Sequence, residues 1–479
     1  MKQPKLRHLP LAAAALVACS GAYAGYQSPD GNFNLSGFGT LGAVSTSTND
    51  VQFNYPGQGG GAGKRPSFTP DTKLALQGTY KFVPSVSATA QLMSKYDAVG
   101  QFTPGFDWAF VKWQAAPALN FRVGKMGAPF FMISDFRNVG YANTAVRPNL
   151  DVYGQVPTDK MEGIDVTYQY NLGSTTLNAT FYAGNAKDDY TSALRKGSLE
   201  LGPSNFELSR LKGINLTAET DSGLTLRAGY AKSKFNLTSD SIDTMLQAGN
   251  CLASAVAQAE CLRTSRALNP DGQNLLYNAS GTALLPYINA LGTSYTGLVN
   301  ANAVTQNKNI SFLGFGATYD QDNWIVTAEY TKRRSDNFVA DTTGWYVNLG
   351  YRVGHFTPYV ALSRLSVDSY NVDHNPAAPT TGSAAIDGVG SVQALRTGLR
   401  DSLQAFMNVE SLSQRTYTVG SRWDVMPNVA LKAQWDQIHK PANHWGLFFT
   451  PDPTTPAAQS FLNNPRKVNV LTLSMDVVF

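Results

Sequence analysis

The last thirteen residues, Lys467–Phe479, constrain this chain more than any other stretch. They read KVNVLTLSMDVVF. Leu471, Leu473, Met475, Val477 and Phe479 share one parity, and Val470, Thr472, Ser474, Asp476 and Val478 share the other. Period-two alternation puts these sets on opposite faces of one β-strand. The first face is wholly apolar, whereas the second is mixed and carries a carboxylate. A free apolar strand edge invites aggregation in water. A strand that closes a barrel in lipid leaves no edge at all.

The same alternation recurs along the chain. Strands are expected near Asn32–Ser45, Thr72–Phe82, Val86–Tyr96, Phe106–Ala115, Leu119–Lys125, Met161–Tyr170, Thr175–Gly184 and Leu208–Glu219. Others follow near Leu224–Phe235, Asn309–Tyr319, Trp324–Arg333, Gly344–Val353, Phe356–Ser366, Thr416–Val425, Val429–Gln437 and Val468–Phe479. That is about sixteen, an even number. Short turns such as Val83–Ser85, Ala116–Ala118 and Met426–Asn428 alternate with long connections. Proline recurs in these turns, where its fixed φ helps and its missing N–H costs nothing. Downstream of the start, no apolar run reaches the roughly 18 residues of a spanning helix. Tyr and Trp cluster near the strand ends, as rings at a headgroup level do.

Alternating strands, short and long loops in strict turn, and a terminal Phe together resemble the bacterial outer-membrane β-barrels, and the porins in particular. The resemblance implies an all-β fold: a transmembrane antiparallel up-and-down barrel with short periplasmic turns and long extracellular loops. It also implies a homotrimer in the Gram-negative outer membrane, with the third long loop folded inward. That loop is Met126–Lys160. It is rich in apolar residues (Phe130, Phe131, Met132, Ile133, Phe136), and its Asp135, Arg137, Asn143, Arg147, Asn149 and Asp151 would border a constriction. The segment Arg122–Tyr153 is loosely similar to dicarboxylate-transporting porins. An outer lid or a trimer contact is the competing reading of the loop.

Parity assigns the wall. Val111 and Trp113 facing lipid turn Lys112 inward, and the same rule turns Arg122, Arg227, Arg352, Arg422 and Lys432 inward. Asp165, Glu329, Asp424 and Asp436 accompany them. A lipid-facing charge costs about 2–4 kcal/mol at the midplane, so these orientations follow once the strands are right. The basic excess leans toward anions.

Compartment signals agree. Lys2, Lys5 and Arg7 precede a short apolar run and Ala22-Tyr23-Ala24, so residues 1–24 read as a secretory signal peptide and 25–479 as one barrel domain. Leu16-Val17-Ala18-Cys19 also resembles a lipobox. Removing the leader takes three of the 38 basic residues and none of the 34 acidic ones, leaving 35 against 34. No basic footprint for nucleic acid survives. Cys251 and Cys261, in the longest loop of an exported chain, could be bridged. A helix through both would separate them by about 15 Å, so a bond needs the chain to fold back near Asn250. His439 and His444, near Asp436, read as solvated outer-loop residues rather than metal ligands. Asp373-His374, in another outer loop, resembles a barrel-protease pair but has no second acidic pair beside it. No cofactor, metal or catalytic set is expected, and the chain is not read as an enzyme.

The expected function is passive diffusion of small hydrophilic solutes through a water-filled channel, with a mild anion preference. Expected partners are membrane lipids, the solutes or organic anions, and two further copies. A substrate-selective channel for carboxylates or aromatic acids is one alternative. A barrel plugged by its loops, structural or adhesive, is another.

Overall fold

The computed structural model describes residues 25–156, 158–193, 195–196, 199–254 and 284–479. Sixteen long strands run antiparallel to their chain neighbours. They are β1 (Phe33–Thr46), β2 (Lys73–Val83), β3 (Val86–Lys95), β4 (Gly105–Ala116), β5 (Leu119–Gly127), β6 (Lys160–Leu172), β7 (Thr175–Tyr190) and β8 (Ser204–Thr220). The second half comprises β9 (Leu224–Thr238), β10 (Lys308–Gln321), β11 (Trp324–Ser335), β12 (Asp341–Tyr351), β13 (Phe356–Ser369), β14 (Gln414–Met426), β15 (Val429–Lys440) and β16 (Arg466–Val478). The last strand pairs with the first, from Phe38↔Val478 to Thr46↔Val470, and closes the barrel. Each expected strand is present. The largest difference in extent is β7, which continues six residues past its expected end at Gly184.

The hairpin turns are tight. Val83 pairs with Val86, Ala116 with Leu119, Leu172 with Thr175, Gln321 with Trp324 and Met426 with Val429. Asn428 takes φ 69° and Asp322 φ 54°, the left-handed conformations that two-residue turns need. The opposite end carries the long connections, with helices α1 (Leu150–Tyr153), α2 (Asp240–Ala253), α3 (Leu285–Asn302), α4 (Gly390–Met407) and α5 (Pro456–Asn463).

Alternation sorts the faces. On β16, Leu471 and Leu473 are 49% and 54% exposed, while Thr472 and Asp476 are buried. Register lines up outward residues into apolar rows such as Val360–Val419–Trp435–Leu471 on β13 to β16. Aromatic pairs mark the short-turn end: Phe356–Trp423 stacks at 5.5 Å between centroids, Trp113–Phe121 at 5.3 Å, and Trp324–Tyr351 meets edge-on at 4.7 Å.

The inward face is not polar throughout. Toward the long-loop end of β8 to β10, Phe206, Leu208, Leu211, Phe235, Leu237 and Phe312 point in and are buried. They share one apolar cluster with Ile288, Leu291 and Val299 of α3 and with Leu399, Leu403 and Met407 of α4. A second cluster joins Val51 and Phe53 to Trp445, Phe448 and Phe461. The long connections thus bring apolar faces that the wall must match.

Candidate functional site

The site is built where the wall meets residues 128–159, the connection from β5 to β6. An irregular segment leaves most of its backbone groups without regular partners, and buried groups must find others. Here the wall's polar face supplies them. Lys432 on β15 donates to the carbonyls of Gly140 (2.7 Å), Asn143 (2.6 Å) and Ala145 (3.1 Å). Arg422 on β14 donates to Tyr141 O (2.6 Å) and Asn143 O (3.2 Å). Arg227 on β9 donates to Pro129 O (2.6 Å) and Phe130 O (3.1 Å). Glu329 on β11 accepts from Met132 N (2.8 Å), the Tyr346 hydroxyl (2.8 Å) and the Tyr153 hydroxyl.

The segment's own side chains return the contacts. Arg147 makes a bidentate pair with Asp71 (2.9 and 2.6 Å), reaches Asp436 (3.2 Å) and Thr472 (2.6 Å), and lies over the Phe53 ring at 4.9 Å. Asp151 accepts from Ser363 (2.7 Å) and Gln414 (2.6 Å). Burial pushes its carboxyl up to about 6, against the pull of those two donors. Gln155 bonds Thr331 and Thr342, and its carbonyl accepts from Arg333 (2.9 Å). Gly140 packs so closely on Asp476 and Thr40 that a Cβ there has no space.

On the short-turn side of this segment lies a cavity of about 1010 Å³. Of the expected lining residues, Lys112, Arg122, Asp135, Arg147, Asp151, Arg227, Arg352 and Arg422 border it. Lys432 and Arg137 do not. Lys432 is 3% exposed and sits 2.9 Å from Asp476. Arg137 lies 5.5 Å from the Tyr153 ring centroid, over its face. Most of the bordering cations are already met by carboxylates: Arg122 by Asp165 (2.5 Å), Arg352 by Asp320 (2.7 Å), Arg422 by Asp424 (2.7 Å). Lys112 makes no ion pair among the described residues. Parity alone turned Asp436, Asp165 and Glu329 inward, but their roles as partners depend on contacts far apart in sequence. Asp71 and Gln155 lie outside the regular strands, where alternation says nothing.

Cys251, at the end of α2, is disulfide-bonded. Its expected partner Cys261 and the expected leader lie outside the described residues. Among the described residues, no cluster of His, Cys, Asp and Glu could hold a metal ion.

So many large apolar side chains exposed around a closed wall cannot face water, and an apolar belt on a barrel is how such chains meet hydrocarbon. The class this defines is a transmembrane β-barrel of the outer-membrane kind. No protein-family model matches the chain, and no curated sequence does. Solved structures similar to it include the anion-selective porin from Comamonas acidovorans, at 11% identity, covering 93% of this chain and 99% of that one, TM-score 0.48. The outer membrane channel DcaP of Acinetobacter baumannii gives 11% identity, 95% and 100% coverage and TM-score 0.47. Salmonella typhi OmpF in complex with daunomycin gives 12%, 94% and 99%, and 0.46. At these values the likeness assigns no function to this chain.

Proposed function

We propose that this protein is an outer-membrane porin, a channel for passive diffusion of small hydrophilic solutes in which residues 128–159 fold into the lumen as the constriction. The observation that carries this reading is the bonding of that segment to wall side chains from β9 round to β16. Arg227, Glu329, Ser363, Arg422, Lys432 and Thr472 belong to six different strands, yet all reach it. A lid resting on the loops outside would not meet polar-face residues so far round the wall. Small polar solutes would pass between this segment and the wall that borders the cavity. Three copies would form the working assembly, as the sequence resemblance implies. The function is diffusion, not catalysis.

Selectivity is proposed to be weak. Four cations bordering the cavity pair with Asp165, Asp320, Asp424 and Asp436, leaving Lys112 and Arg227 against Asp135, Asp151 and Glu219. The mild anion preference expected from parity counts cations whose charge is locally met. One observation favours a second reading, the plugged barrel: the apolar clusters occupy the long-loop half of the interior. Planar-bilayer recording separates the two. Steady conductance with a reversal potential near zero under a salt gradient is expected. Silence at all voltages would select the plug, and a strong reversal of either sign would overturn weak selectivity.

A further inference from the structure

Above the apolar belt, the outward face of β13 to β16 carries a row of three cations and one histidine. Arg364 is opposite Arg415, Arg415 opposite His439, and His439 opposite Lys467. Four adjacent strands thus present basic side chains in register, about 5 Å apart from one to the next. Arg364, Arg415 and Lys467 are exposed, and His439 is half-buried. Like charges directly opposite one another destabilise a sheet, and Arg364 opposite Arg415 is such a pair.

Some other outward cations have carboxylates. Arg334 meets Asp368 at 2.9 Å, Lys187 meets Glu207 at 3.4 Å and Lys125 meets Glu162 at 3.8 Å. Among the described residues, none of the four in the row forms an ion pair. The His439 ring bonds Gln437 (2.9 Å) and meets the Tyr417 ring edge-on at 5.6 Å.

The level of the row defines its surroundings. The next outward residues toward the short turns are Leu362, Tyr417, Gln437 and Asn469, and beyond them lies the apolar row Val360–Val419–Trp435–Leu471. The row therefore stands about 13 Å along the strands past that apolar row. That is the depth of lipid headgroups on the long-loop side. A second like-charged pair, Lys212 opposite Lys232, is exposed near the middle of β8 and β9.

We propose that Arg364, Arg415, His439 and Lys467 form a docking strip for the phosphate groups of a phosphorylated glycolipid in the outer leaflet. The lipid's acyl chains lie along the apolar row, and its phosphates supply the negative charge that the strip lacks. Charge complementarity at headgroup depth, joined to a continuous apolar face, selects a lipid over a soluble anion. This inference rests on the reading that the barrel spans the membrane with its long loops outward.

The test uses the full-length protein refolded in detergent, with bound lipid read by native mass spectrometry. Probes are purified lipopolysaccharide, the same material after dephosphorylation, and inorganic phosphate. Wild type is expected to retain lipopolysaccharide. The Arg364→Gln/Arg415→Gln/Lys467→Gln variant is expected to bind it about tenfold or more weakly, and dephosphorylated lipid to bind wild type as weakly. Unheated gel mobility reports whether the variant barrel has folded. If the triple variant does not fold, Arg415→Gln alone, at the middle of the row, is expected to lose about fivefold. Equal retention by wild type and folded variant overturns the proposal. So does equal binding of the two lipid forms, or displacement of lipid by millimolar inorganic phosphate. Conductance of the same wild-type preparation tests the pore separately: a silent barrel that binds the phosphorylated lipid keeps this strip and loses the channel.

Discussion

At the scale of single residues, the interior depends on charges spent on structure. Lys432 neutralises Asp476 and donates to three carbonyls of the 128–159 segment. Removing one member of a buried pair strands the other, at a cost of about 3–5 kcal/mol. Lys432→Met is therefore expected to lower stability by that amount and to make single-channel current noisy, because the segment loses its anchor. Lys432→Met/Asp476→Asn is expected to recover part of the stability but not the quiet current. Thermal unfolding followed by gel mobility and bilayer recording read the two effects separately. Asp151 gives a pH dependence. Its folded carboxyl holds a proton up to about pH 6, whereas the unfolded chain loses it near 3.8. Stability from this group is complete below about pH 4, falls as pH rises toward 6, and is level above that. The span corresponds to about 3 kcal/mol. Asp151→Asn is expected to flatten the slope between pH 4 and 6. An unchanged slope would place its origin elsewhere.

At the scale of elements, β8 shows what alternation can and cannot convey. Strict period two from Phe206 and Leu208 would next turn Arg210 and Lys212 inward. A register shift between Ser209 and Lys212, with Arg210 at φ 53°, re-phases the strand so that Leu211 points in instead. Such a bulge leaves one residue unpaired, and nothing in the residue types announces it. Arg210→Val, a β-branched side chain at positive φ, is expected to destabilise the barrel by about 1 kcal/mol or more, and Arg210→Gly to be neutral or stabilising. Equal effects of the two in thermal unfolding would remove the bulge as a constraint. The strands themselves were legible because lipid on one side and water on the other impose a two-residue period on each of them. The partners of Arg147 were not, because Asp71 and Asp436 approach it only when the barrel closes. The apolar inward face of β8 to β10 was hidden for a related reason: it answers helices α3 and α4, which the strand pattern does not contain.

At the scale of the whole molecule, everything waits on one seam. Fourteen strands can pair with chain neighbours on both sides, but β1 must find β16 across the length of the chain. Thr40 bonds Asp476 at 2.5 Å across 436 residues. Closing so long a loop costs entropy that local hairpins never incur, so the seam needs specific contacts. It has them in Gly37 and Phe479, whose backbones exchange hydrogen bonds of 2.7 and 2.9 Å. The Phe479 ring lies where a Gly37 side chain would be. Gly37→Leu is therefore expected to expel the ring, break the reciprocal bonds and leave hairpins that form without closing. On an unheated detergent gel the compact, fast-moving band should be lost while far-ultraviolet dichroism keeps its strand signal. Ala43→Leu, farther along the seam on the same strand, enlarges a residue that already has a Cβ and should leave the compact band in place. If both variants close equally well, closure draws on register along the whole seam, and the terminal ring contributes packing alone.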